Sequence, residues 1–129
     1  MTEGSDDAAA FDRYLEATAS PGIVLIARAV RTAVLATTSG AIEWFDPGNG
    51  LLALGSRRSM RGLWFAIIPH RSHVNLQLAD GVDLPNASGR IEGTGKRIRH
   101  VKVKSLEEAA SPWLAQVIQA QVDVRTGQP

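Results

Sequence analysis

Residues 63–78 read LWFAIIPHRSHVNLQL, and two different hydrophobic patterns meet in them. Leu63 to Ile68 is apolar on both parities, as expected of a central strand covered on both sides or partly by loops. Pro69 to Ser72 turns the chain. Val74, Leu76 and Leu78 then alternate with His73, Asn75 and Gln77, so one face of this next strand is core and the other wet. A covered strand followed by an alternating one predicts an antiparallel sheet with one face packed and one partly open.

The pattern continues on both sides. Upstream, Ile42 to Phe45 and Leu51 to Leu54 read as two strands joined by the turn Asp46-Pro47-Gly48-Asn49-Gly50. The polar loop GSRRSMRG (55–62), with Arg57, Arg58 and Arg61, leads into Leu63. Downstream, residues 79–92 (ADGVDLPNASGRIE) are rich in turn formers and form the longest loop, where a rigid scaffold often carries function. Residues 93–105, GTGKRIRHVKVKS, open on a double-glycine turn and become a fifth strand. It directs Val101 and Val103 inward and His100, Lys102 and Lys104 outward.

Helical spacing brackets these strands. Ser5, Asp6 and Asp7 read as a helix start, and Phe11, Tyr14 and Leu15 share a face. Ser20-Pro21 caps a second helix with Ile23, Ile26, Val30, Val34 and Thr37 on one face, ended by Ser39 and Gly40. Ser105 with Glu108 reads as a capping box, and Ser111-Pro112 starts a last helix marked by Leu114, Val117, Ile118 and Gln121, with Trp113 beside it. The expectation is one α+β domain over residues 6–124, between tails 1–5 and 125–129. An antiparallel sheet of about five strands packs one face under N-terminal and C-terminal helices. His73, Asn75, Gln77, His100 and Lys102 should share the other, open face.

Composition narrows the function. The 129 residues are 44% hydrophobic and 21% charged, which suits a single globular core. A formal charge of +1 favours neither nucleic acid nor an anionic membrane as partner. Cysteine is absent, so disulfides, thiolate metal sites and a cysteine nucleophile are excluded. The opening MTEGSDD lacks an apolar h-region, and the longest apolar tract, Ile23 to Leu35, is broken by Arg28 and Arg31. That tract is shorter than the roughly 20 residues of a membrane span. The chain reads as soluble and cytoplasmic.

Four constellations bear on chemistry. GTGK is not a nucleotide loop, because Arg90 stands at the first glycine position of a Walker motif and Arg97 at its hydroxyl position. Two readings remain: a tight turn entering a basic strand, or an anion site in which the N–H groups of Gly93 and Gly95 join Lys96, Arg97 and Arg99. His70, His73 and His100, with Asp80 or Asp83, are the only hint of a metal site, and residue spacing indicates no metal ligand set. Serine, histidine and carboxylates are all present, but no nucleophile motif joins them and no catalytic residue is assigned. The basic run 96–104 lacks interleaved aromatics, so Trp44, Trp64 and Trp113 read as core anchors and nucleic acid is not a predicted partner.

The run EGTGKRIRHVKVKS, preceded by HVNLQLADGVDLPN and followed by SPWLAQVIQA, resembles the YdhG-like family. That family is a domain-of-unknown-function group related by fold to the YjbR-like proteins and to CyaY, the bacterial frataxin. The resemblance covers roughly residues 11–122 and is most specific in the glycine-lysine turn and Arg99-His100-Val101-Lys102. It implies a frataxin-like α/β sandwich with helices on one side of an antiparallel sheet. Through frataxin it also implies an iron chaperone as an alternative function. The ligands would then have to come from Asp6, Asp7, Asp12 and Glu16, because the second helix carries no carboxylate.

The expected function is binding without a resident cofactor, iron entering only by family analogy. The ligand would be a small anion or a protein partner, a second copy of the chain included. It would be received by Lys96, Arg97, Arg99, His100 and Lys102 with Gly93 and Gly95, bordered by Arg57 and Arg58, and by the open face His73, Asn75 and Gln77. An unrecognised enzyme is a further alternative.

Overall fold

The structure, a computed structural model, describes residues 3–38, 40–86 and 88–127. Two helices, α1 (Glu3–Thr18) and α2 (Pro21–Leu35), precede strands β1 (Ile42–Asp46), β2 (Leu51–Gly55), β3 (Leu63–Pro69) and β4 (Val74–Leu78). A 3₁₀ turn (Gly81–Asp83) and a long loop lead to β5 (Arg99–Val103), a short helix α3 (Leu106–Ala109) and α4 (Pro112–Thr126). The strands form one antiparallel sheet in the order β1-β2-β3-β4-β5, a plain meander. This is the expected α+β architecture, with β3 at the centre.

Strand alternation puts Leu52, Leu54, Phe65, Ile67, Val74, Leu76, Leu78, Val101 and Val103 on one face, fully buried against the helices. The helices answer with Phe11 and Leu15 of α1, Ile23, Ile26, Val30 and Val34 of α2, and Leu114 and Ile118 of α4. Each such aliphatic side chain contributes about 1.5–3 kcal/mol when withdrawn from water. The apolar stripe of α2 therefore anchors the helical layer. Its N-terminus is set as the sequence predicts, with the Ser20 Oγ accepting from the Ile23 N–H at 3.3 Å and proline in the first turn.

Some boundaries differ from expectation. Helix α1 begins at Glu3, so Ser5 lies within it rather than capping it. Asp7 instead reaches across to edge strand β1 and accepts from the Phe45 N–H at 2.8 Å. Helix α2 ends at Leu35, before Thr37; of its predicted stop residues, Ser39 lies outside the described residues and Gly40 takes a positive φ of 78°. Ser111 does not cap α4 with its side chain, whose hydroxyl donates to the Glu108 carbonyl. At the far end α4 continues through Thr126 to a left-handed Gly127, which makes Arg125 part of the fold instead of a tail.

Both sheet edges are blunted. Asp7 occupies the Phe45 N–H on β1, while the N–H and carbonyl of His100 on β5 exchange bonds of 3.0 and 2.8 Å with Glu92. An edge with its backbone groups engaged is a poor template for another strand.

Candidate functional site

The register lines up residues across the helix-free face. Trp44, Ala53, Ala66, Gln77 and His100 are paired in succession from β1 to β5. At the usual strand spacing this row spans about 19 Å. In the neighbouring row Asp46 pairs with Leu51, Ile68 with Asn75, and Asn75 with Lys102. Ala53 and Ala66 are buried between larger neighbours, whereas Trp44, Leu51, Ile68, Asn75, Gln77, His100 and Lys102 are half-buried. The face thus has an aromatic end, a floor of small side chains and a basic end. Trp44 belongs to this face, not to the main core.

The predicted open-face residues are gathered as expected. Asn75 and Gln77 pair directly with Lys102 and His100, and Val101 and Val103 between them are buried on the other side. His73, just before β4, stacks its ring on His70 with centroids 4.8 Å apart and planes inclined by 20°. Burial first, then the charges of His70 and Lys102, hold the His73 imidazole below the ordinary histidine range; Lys104 adds to this, and Asn75 opposes it. The Asn75 Oδ1 lies near enough to favour a protonated His73, yet is buried without a hydrogen bond of good geometry.

The basic turn is assembled differently from the predicted anion cradle. Arg97 donates to the Asp80 carboxylate at 2.6 Å and approaches Asp83 at 3.7 Å. Arg99 folds back, its Nε donating to the Gly95 carbonyl at 2.8 Å. Gly93 takes a φ of 121°, and a side chain at Gly95 would strike the Ile98 carbonyl at 2.8 Å. These glycines let the loop close on itself. Two of the three cations meant for a ligand are engaged inside the protein, and Lys96 is left exposed at the loop tip.

Arg57 and Arg58 do not border the basic end. Arg58 pairs with Asp7 at 2.6 Å, beside β1, at the opposite edge of the sheet from Lys102. Arg57 is exposed in the β2–β3 loop, where its Cγ packs closely over Gly62. The other two tryptophans are also half-buried, and Trp113 lies beneath the Arg90 guanidinium at 4.3 Å.

A second polar cluster was not predicted from the sequence. Asp80 is buried and accepts from Gln121 Nε2 at 2.7 Å, Arg97 at 2.6 Å and the Nε of Arg125, while its own N–H donates to Gln121 Oε1 at 2.8 Å. Arg125 also donates to the Arg61 carbonyl at 2.8 Å. Burial is the largest single influence on the Asp80 carboxyl and raises its pKa. The hydrogen bonds from Gln121, Arg125 and Arg97 together outweigh it and hold the group below the ordinary aspartate range. With its oxygens engaged, Asp80 is a clamp joining β4, the basic turn and α4.

The metal and hydrolase constellations do not come together. His70 and His73 stack, but Asp80 and Asp83 lie beyond the other end of β4. Among the described residues no three histidine or carboxylate side chains gather around a common point. On α1, Asp12 and Glu16 are held by Arg28 at 2.7 and 2.6 Å, and Asp7 by Arg58. The Ser72 Oγ stands 3.4 Å from His73 Nδ1, but no carboxylate among the described residues orients that ring. Among the described residues no helix is long and apolar enough to cross a membrane.

Searches of protein-family models, curated proteins and solved structures return no match to this chain.

Proposed function

We propose that this protein is a binding module whose helix-free sheet face receives an acidic surface of another protein. The observation that carries this reading is the registered row from Trp44 through Ala53, Ala66 and Gln77 to His100, with Lys102 beside it. A flat face with an aromatic anchor, a small-residue floor and a basic rim suits a partner that brings apolar side chains to the centre and carboxylates to the rim. The basic end supplies the charge complementarity, since His73, His100, Lys102 and Lys104 gather there and make no ion pair among the described residues, with Glu92 and Glu108 at its outer margin. Assignment to the YdhG-like group is part of this proposal and rests on the resemblance over roughly residues 11–122, above all the run 92–105. The iron-handling alternative draws no support from the α1 carboxylates, which are held by arginines.

The test places a photo-crosslinking residue at Gln77, on the face, or at Gln119, exposed on α4, in the full chain inside cells. The expected result is a discrete protein adduct from Gln77 alone, lost when Trp44→Ala and Lys102→Glu are combined. Equal adducts from both positions, or an adduct indifferent to the double substitution, would refute the reading. An adduct with a second copy of the chain would replace a foreign partner by self-association.

A further inference from the structure

One positive charge without a partner among the described residues lies at the end of the sheet remote from the basic turn. There, the α1–α2 junction and the β3–β4 turn enclose a cleft of about 420 Å³ lined by Tyr14, Thr18, Ala19, Ser20, Pro69, His70 and Arg71. Among the described residues no acidic side chain lines it. Arg71 is exposed and makes no hydrogen bond or ion pair among the described residues, and the Tyr14 hydroxyl likewise has no partner there. Ser20 accepts from the Ile23 N–H, which leaves its own O–H free to donate. His70 brings a ring nitrogen and is backed by His73.

We infer that this cleft binds a small phosphorylated metabolite, the phosphate held by Arg71 and His70 with the Tyr14 and Ser20 hydroxyls, and the organic part resting on Pro69 and Ala19. The chemistry of the lining selects this class. A guanidinium and several neutral donors match a tetrahedral oxyanion with many acceptor oxygens. The first turn of α2 opens at Ser20, so its partial positive charge adds to theirs. The volume accommodates a phosphate with a short apolar or aromatic body, and the absence of a lining carboxylate leaves the anion unopposed. The site adjoins the partner face through the His70–His73 stack but uses neither Trp44 nor Lys102, so the two readings fail separately.

Phenyl phosphate and inorganic phosphate serve as probes, titrated into the full chain and followed by amide and histidine-ring NMR. Phenyl phosphate is expected to move the signals of Ser20, His70 and Arg71, and to shift the His73 titration upward as the bound anion offsets its cationic neighbours. It should bind several-fold more tightly than inorganic phosphate. Arg71→Ala, an exposed change with no internal partner to strand, should weaken it about tenfold or more. Lys96→Ala should leave it unchanged. The inference is overturned if neither probe binds, if both bind equally, if Arg71→Ala has no effect, or if the moved signals cluster on residues 96–104 instead.

Discussion

Replacing Asp80 by asparagine keeps the shape of the clamp and removes its charge. The wild-type carboxylate is 3% exposed and holds two guanidiniums and one amide. A hydrogen bond to a charged group is worth about 1.5–3 kcal/mol, and breaking a fully buried ion pair costs about 3–5. The lower part of these ranges applies, because Arg97 is 62% and Arg125 24% exposed and both can turn to water. Asp80→Asn should therefore cost about 2–3 kcal/mol, seen as a fall of about 1–2 M in the urea midpoint monitored by tryptophan fluorescence. Arg97→Ala, at an exposed position, should cost under about 1 kcal/mol. Arg125→Ala should cost more, since it also abandons the Arg61 carbonyl. Because the native Asp80 pKa is depressed, the unfolded chain binds the proton more readily, and the stabilisation is full above the unfolded value near pH 4. The gap between wild type and Asp80→Asn should be constant from about pH 5 to 8 and close as pH falls through the native pKa. A gap that widens on acidification, or equal costs for Arg97→Ala and Arg125→Ala, would refute the assignment of Asp80 as an ionised clamp.

Other substitutions probe the scaffold. Gly55→Ala would place a Cβ 1.9 Å from the Gly62 carbonyl oxygen, which also accepts from the Ser56 N–H. It should cost more than about 2 kcal/mol in the same unfolding assay, whereas Gly22→Ala, in the first turn of α2 with open space around it, should be neutral or stabilise by up to about 1 kcal/mol. Glu43 is buried and accepts from Arg31 Nε and Nη2 at 2.6 and 2.8 Å. Arg31→Ala would strand that carboxylate and should cost about 2–3 kcal/mol by thermal or urea unfolding; Arg28→Ala, whose ion pairs to Asp12 and Glu16 lie in solvent, should leave the midpoint nearly unchanged.

Much of the fold was legible because it rests on local periodicity. Alternation at Val74, Leu76 and Leu78, the unbroken apolar run 63–68 and the Ser20-Pro21 cap each depend on neighbours a few residues away. The Ser105 cap is likewise local: its Oγ accepts from the Glu108 N–H at 3.1 Å, although Glu108 reaches back to the Lys104 N–H rather than to that of Ser105 itself. The open-face set His73, Asn75, Gln77, His100 and Lys102 followed from strand phase alone. Trp44 was read as a core anchor and instead lies half-buried on the helix-free face, because a tryptophan in a short strand carries no mark of which face it occupies. The clamp was invisible for another reason: Asp80 meets Gln121 and Arg125 across more than forty positions, and an arginine near the end of an apolar helix looks like a tail. One available hint was Gln121, a polar residue on the same helical face as Leu114, Val117 and Ile118.

The sequence by itself determined the strand phases and helical stripes, and through them a five-stranded sheet with one face under helices. Burial patterns repeat at short range, and a one-residue error would expose a whole face. Which cations are spent and which are left over was decided only by the tertiary structure. Arg97 and Arg99 looked like the ligand-binding charges of the GTGKRIRH turn, but Asp80 and the Gly95 carbonyl engage them. Arg71, unremarkable in a turn, is left facing a cleft. A charge is neutralised by whatever carboxylate or carbonyl the fold brings within about 3 Å, and that distance is a property of the packed chain, with no counterpart in the order of its residues.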